Sequence, residues 1–410
     1  MDGKTYKMFN QESAADYIRG KGFFADCGDP LISREIGDGN MNYIYRISCG
    51  EKSLILKQAG EATRLSSGKN ISRKRNQREA RALIRQNEIV PGSTPKVYLY
   101  DEVMDCVVME DMKDYTVMRQ ALLDGRPLCD SFGEQIGHIL AENYRQTSDV
   151  QADHIRKKYG VKEFINPELC EISERLVFDE PIFNLSGCNG VEPENNAYVE
   201  ANIYAGEELK KEVGKLKYQF MTSSQSFIHG DLHTGSLFIS EERVKIFDSE
   251  FAFYGPTGYD VGNVVAHLLL AKTNALLTER NEVADWTEKQ IRSILRIFTE
   301  ETIGQKRQPG KDAFEKELNQ WYIRNILADS AGYCGMEIIR RVLGVAKVKD
   351  VQSLERQKRC QAERILLKKG IDLVINRKNY TEASICHQNY IMKYLMQKFK
   401  QIKYMPKHKK

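Results

Sequence analysis

Short alternations of apolar and polar residues fill the first third of the chain and predict strands. The β-prone runs 31–36, 43–48 and 53–58 are separated by Gly37-Asp38-Gly39-Asn40-Met41-Asn42 and by the turn Cys49-Gly50-Glu51-Lys52. Residues 70–86 become polar and then helical in composition, stopping before Pro91-Gly92. Two more strands are expected at 96–100 and 105–109. From about residue 113 the period lengthens to that of a helix. Val261, Val264, Val265, Leu268 and Leu269 form one apolar stripe, and Ile291, Ile294, Leu295 and Phe298 form another. An island of short strands, 226–228, 237–239 and 244–247, interrupts the helices. The pattern predicts an α+β chain in two lobes. Residues 1–112 form a small, mostly antiparallel sheet with one helix, and 113–397 form a larger, mainly helical lobe. Residues 398–410 are a lysine-rich tail, read as solvated chain end.

Composition narrows the function. The formal net charge of +4 over 410 residues excludes a generally basic nucleic-acid coat and a strongly acidic disordered chain. At this length two lobes are expected, because a single core rarely grows past roughly 250–300 residues. No run approaches the roughly 18 apolar residues of a membrane helix, and residues 1–22 lack the apolar stretch of a secretory signal. The nine cysteines are scattered without a Cys-x-x-Cys pair. A disulfide framework or zinc ribbon is therefore not expected, and a reducing, cytoplasmic setting fits best. Neither a nucleic-acid nor a membrane partner is expected.

The candidate chemistry starts in the island. His229-Gly230-Asp231-Leu232 precedes one short strand, and a second ends in Asp248-Ser249-Glu250. In an extended segment Asp248 and Glu250 point to the same side, offering hard oxygen ligands suited to Mg²⁺, with Asp231 approaching from the loop. The glycine stretch at 37–42 lies between two strands. It is a hairpin, unlike the helix-opening loops of dinucleotide or Walker A sites, and a glycine hairpin can fold over phosphates. Lys57 ends the third strand, and Glu79 follows on a helix where Arg75, Arg78 and Arg81 are alternative partners for it. Glycine hairpin, strand lysine, helix glutamate and acidic loops stand in the order of the protein-kinase parts.

The residues His229-Gly230-Asp231-Leu232-His233-Thr234-Gly235-Ser236, then Asp248-Ser249-Glu250-Phe251-Ala252-Phe253-Tyr254-Gly255-Pro256 and Gly258-Tyr259-Asp260-Val261-Gly262, resemble the kinase-like small-molecule phosphotransferases, the group of aminoglycoside and choline kinases. Within that group the match to the 5-methylthioribose kinases is close. Val108-Met109-Glu110-Asp111-Met112, Asn166-Pro167-Glu168-Leu169-Cys170 and Glu337-Ile338-Ile339-Arg340-Arg341 are similar to the same family. The resemblance runs from about residue 30 to 350. Two positions depart from the protein-kinase pattern. Ser236 stands five residues after Asp231, where protein kinases place a metal-binding Asn, and Glu250 replaces the glycine of the metal loop. Glu250 would make up for the weaker ligand Ser236, a combination that looks like the methylthioribose kinases.

The resemblance implies a bilobal protein-kinase-like fold and ATP-dependent phosphorylation of the 1-hydroxyl of 5-methylthioribose in methionine salvage. Asp231 would orient the hydroxyl. Asp248, Glu250 and Ser236 would hold Mg²⁺. Gly37, Gly39, Asn40, Lys57, Glu79 and Ser249 would surround the nucleotide, and the backbone of Glu110, Asp111 and Met112 would form the adenine hinge. Arg340 and Arg341 would serve substrate and transferred phosphate. Successive helix residues point about 100° apart, so one arginine in the site and the other paired with a surface acid such as Glu337 is the alternative. The family suggests a homodimer. Rival readings are a kinase for another small alcohol or sugar, a non-catalytic nucleotide-binding scaffold, and a metal hydrolase using His229, Asp231 and His233.

Overall fold

The computed structural model describes residues 5–36, 42–60, 72–126, 128–150, 152–303 and 312–380. Gly37, Gly39 and Asn40 and the tail 398–410 lie outside these residues.

The fold is bilobal. Five antiparallel strands build the first lobe: β1 Ile32–Glu35, β2 Asn42–Cys49, β3 Lys52–Ala59, β4 Val97–Asp101 and β5 Cys106–Glu110, in the order β1-β2-β3-β5-β4. Strand β3 is central, and its two faces serve different ends. Leu54 and Leu56 face a core with Tyr45, Ile47 and Val108, while Ile55 faces a second core with Ala80, Leu83 and Met109. Because strand side chains alternate, Lys57 falls on the Ile55 face. That face is covered by helix α2, Arg75–Ile89.

The other face carries a helix the periodicity did not single out, α1 Gln11–Gly20. Asn10 and Ser13 form a reciprocal capping box at its start. Its buried Ala14, Ala15 and Ile18 are small or few, so the apolar stripe is faint in the sequence. The structure also corrects the cysteine reading: Cys27 and Cys49 are joined in a disulfide. Pairing of Ile32 with Ser48 brings the segment before β1 to the end of β2, a juxtaposition that cysteine spacing does not report. The other described cysteines are free.

The second lobe is mainly helical. A two-residue strand, β6 Thr116–Val117, follows the interlobe connection and leads into α3, Met118–Asp124, and α4, Phe132–Thr147. The predicted island is present as β7 Ser226–Ile228, β8 Leu237–Ile239 and β9 Val244–Ile246, and a short strand the sequence reading did not include, β10 Phe253–Gly255, follows it. β8 pairs with β6 and β9, and β7 pairs with β10. Long helices Thr257–Leu277, Asn281–Ile303, Asp312–Leu343 and Arg356–Ile375 form the main core. A Cβ on Gly262 would lie 2.6 Å from the Ser330 carbonyl oxygen, so glycine is required where the first and third of these helices touch. That close crossing brings His267 to Glu337. No described helix is long and apolar enough to cross a membrane.

Candidate active site

A buried polar stripe on α2 faces the acidic loop. Arg75, Glu79 and Gln86 recur at helical spacing and are all buried. Glu79 is not an exposed helix acid. Its two oxygens lie 2.7 and 2.9 Å from Lys57 Nζ, and Lys57 also donates to Asp248 Oδ1 at 2.7 Å. Burial alone would lower the Lys57 pKa, but Asp248, Glu79 and Glu250 outweigh it and raise it. Burial raises the Glu79 carboxyl, with Lys57 opposing. For Asp248 the ammonium prevails over burial and holds the carboxyl below its ordinary value.

The loop after β9 is not extended. Asp248 takes a left-handed conformation, φ 65°, and Ser249–Phe251 forms a 3₁₀ turn. The same-side argument for Asp248 and Glu250 therefore fails in its premise. Asp248 turns to Lys57, while Glu250 turns inward to Arg75, whose Nε is 3.9 Å from Oε2. Arg75 also donates to Asn42 Oδ1 at 3.1 Å. Ser249 Oγ donates to Gln86 at 2.9 Å, and Asn166 donates to the Glu250 carbonyl at 2.9 Å. Burial and the neighbouring Asp248 push the Glu250 carboxyl up to about 8. Its Oε2 is buried without a hydrogen-bond partner. A buried carboxyl oxygen without a hydrogen bond, close to the Asp248 carboxylate, offers the oxygen donors that a hard cation takes, so Asp248 and Glu250 fit Mg²⁺.

Asp231 lies on the loop between β7 and β8. The loop is anchored by Asp260, whose carboxylate accepts from His229 N–H at 2.6 Å and Gly230 N–H at 3.0 Å. His229 Nδ1 accepts from Asp231 N–H at 3.2 Å, and its Nε2 bonds the Phe247 carbonyl at 2.9 Å. Both ring nitrogens are thereby used, and the His229-x-Asp231-x-His233 spacing does not present a metal-ligand face. The described side chains that do cluster like ligands are His138, Glu142 and Glu301, and Glu142 is already paired with Arg145. Ser236 closes the loop: its hydroxyl accepts from His233 N–H at 2.9 Å and lies within hydrogen-bonding reach of the Asp231 and His233 carbonyls.

Both arginines reach Asp231. Arg340 Nη2 lies 3.1 Å and Arg341 Nη2 3.5 Å from Asp231 Oδ1. Glu337 is not a surface acid but fully buried, and it binds both guanidinium groups, Arg340 through Nε and Arg341 through Nε at 2.7 Å. Residues 337, 340 and 341 stand at i, i+3 and i+4, so one carboxylate beneath them gathers two side chains whose Cα–Cβ bonds diverge. His267 adds a bond to Glu337 at 2.8 Å. Burial pushes Asp231 up, but the His233 ring and the Arg341 and Arg340 guanidinium groups outweigh it and hold it well below the usual carboxylate range. Glu337 is likewise held well below, its arginines overcoming burial.

The hinge residues use their side chains structurally. Glu110 accepts from Lys245 Nζ at 2.8 Å, across the lobes, and Asp111 accepts from Ser53 at 2.7 Å and pairs with Arg46. Sequence reasoning took Arg75 only as a partner for Glu79 and Asp260 only as part of a motif, and it passed over the role of His267 and the burial of Glu337. The signal available for Arg75 and Glu79 was their spacing with Gln86 on one helix face.

A bilobal chain with a lysine–glutamate pair, an acidic loop beneath it and an arginine-held aspartate is built like a phosphoryl-transfer enzyme. Residues 33–292 match the phosphotransferase enzyme family, and the chain belongs to it. It is homologous to methylthioribose kinases: that of Bacillus cereus (strain B4264) is 36% identical over 376 residues, covering 90% of this chain and 93% of that one. That of Bacillus anthracis (strain A0248) matches to the same extent. The choline kinase structure from Cryptosporidium parvum Iowa II covers 92% of this chain and 100% of that one, with a TM-score of 0.50 and 12% identity, a likeness of fold alone.

Proposed function

We propose that this protein transfers the γ-phosphoryl group of ATP to the 1-hydroxyl of 5-methylthioribose, as a step of methionine salvage. The observation that carries this reading is the 36% identity with methylthioribose kinases over nearly the whole chain. The fitted Asp231–Arg340–Arg341 cluster agrees with it.

In this mechanism the acceptor oxygen attacks the γ-phosphorus, the bond to the ADP oxygen breaks, and the acceptor proton passes to Asp231. The depressed pKa of Asp231 makes it a weak base. Its main work is to orient the hydroxyl, and it takes the proton late, which suits a loose phosphoryl-transfer transition state. Arg340 and Arg341 stabilise negative charge on the moving group. Lys57, positioned by Glu79, neutralises oxygens of the phosphates that stay with ADP. Asp248 and Glu250 would hold Mg²⁺, with Ser236 bracing the loop beside them; the ion would offset phosphate charge. The glycine hairpin, with Gly37, Gly39 and Asn40, would cover the nucleotide, and the Glu110–Met112 backbone would take adenine. We further propose a homodimer, to be checked by light scattering.

Labelled ATP offered with methylthioribose, homoserine, choline and an aminoglycoside tests the substrate. Label on methylthioribose at the anomeric carbon supports the reading. Label on another alcohol only would keep the phosphotransferase and replace its substrate.

A further inference from the structure

His233 stands two residues from Asp231, and its ring is tied down on every side. Its Nδ1 accepts the Gly235 backbone N–H at 2.9 Å and lies 3.4 Å from Arg119 Nη2. A nitrogen facing two N–H donors keeps its lone pair, so the ring proton of the neutral imidazole is on Nε2. Nε2 is 3.3 Å from Asp231 Oδ2, the oxygen that the arginines do not touch. The pair is close without the alignment of a formed hydrogen bond, and catalytic contacts that are long or poorly aligned in the free enzyme often tighten only when substrate arrives.

The surroundings are shaped to this contact. Arg119 is fixed by its own backbone N–H on the Thr234 carbonyl, 2.9 Å, and by the buried Asp350, 3.8 Å from its Nε. A Cβ on Gly235 would lie 2.8 Å from His233 Cε1 and 2.9 Å from Arg119 Nη1, so any side chain there would push the two apart. His267, the anchor of Glu337, packs against the other side, with ring centroids 4.9 Å apart.

We propose that His233 is a positioning residue: its Nε2–H holds Asp231 Oδ2 toward the acceptor hydroxyl while the arginines hold Oδ1. The carboxylate is thus gripped at both ends, by a neutral donor on one oxygen and by two cations on the other. The oxygen facing the neutral donor is the more basic, so Oδ2 is the atom that receives the acceptor proton. This proposal rests on the reading of Asp231 as the residue that meets the hydroxyl.

The test compares His233→Gln with His233→Asn in the full chain. A glutamine amide nitrogen reaches the place of Nε2, whereas an asparagine amide stops at that of Nδ1. The assay uses ATP and methylthioribose, or whichever alcohol of the panel is phosphorylated. The expected kcat of His233→Gln is within about fivefold of wild type, and that of His233→Asn falls about 100-fold, with KM for ATP unchanged. Equal retention or equal loss in the two variants overturns the proposal. Nitrogen-15 spectra of histidine-labelled protein, assigned with His233→Gln, should show a neutral ring protonated on Nε2. An imidazolium or Nδ1–H signal overturns it as well. Asp231→Asn separates the two readings. An active Asp231→Asn protein removes both, while an inactive one beside an active His233→Asn removes the role of His233 alone.

Discussion

Lys57 and Asp248, 191 residues apart in the chain, meet at 2.7 Å and join the two lobes. The same ammonium is bound by Glu79, so one cation serves two carboxylates. Lys57→Met would leave both acids without their partner. We expect kcat to fall by about 100-fold or more, with weakened nucleotide binding. Single-turnover kinetics and nucleotide titration measure the two effects separately. Glu79→Gln should be milder, because Asp248 still orients the lysine.

Glu337 supports a cluster it does not itself expose to substrate. Glu337→Gln keeps the volume but removes the charge that gathers Arg340 and Arg341. The expected result is a loss in kcat of about 100-fold with KM for ATP unchanged, larger than for Arg340→Lys or Arg341→Lys alone. Steady-state kinetics of the three variants check this ordering.

Glu250 makes stability depend on pH. Its folded pKa, about 8, lies above its ordinary value of 4.5, so the fold favours the protonated form. The stabilisation from that proton is full below the ordinary value and is lost as pH rises through about 8. Without metal, Glu250→Gln should match wild type near pH 4 and melt roughly 2 °C or more above it at pH 9. Added Mg²⁺ should raise the wild-type melting temperature at pH 9 and leave that of Glu250→Gln nearly unmoved. Thermal melts across this range, with and without metal, give the answer.

Ser236 gives a test within the loop. Its hydroxyl bridges His233 N–H and loop carbonyls, so Ser236→Ala should lower kcat by loosening Asp231. Ser236→Asn in a Glu250→Gly background should regain part of the Mg²⁺ affinity that Glu250→Gly loses, as measured by the Mg²⁺ dependence of turnover.

The lobes were legible because strand alternation and helical stripes are local. Lys57 could be placed on β3, Glu79 on α2 and Asp231 before a short strand from those patterns and from chain order. What escaped is long-range. Glu337 reads as a surface acid until Gly262 shows how closely two helices cross and bury it against His267. The reach of both Arg340 and Arg341 to one aspartate depends on that shared carboxylate, not on the angle between successive residues. The Asp248 turn was misjudged because a left-handed aspartate carries no mark in the sequence. α1 was missed because alanines make a weak stripe, and Cys27 meets Cys49 only through strand register.

The most direct measurement is transfer of labelled γ-phosphate from ATP to methylthioribose by the wild-type chain and by Asp231→Asn, followed by product analysis. We predict one ADP per methylthioribose 1-phosphate with wild type, and turnover at least about 1,000-fold lower with Asp231→Asn. Undiminished transfer by Asp231→Asn, or no transfer by wild type to methylthioribose or any other small alcohol, would contradict the account.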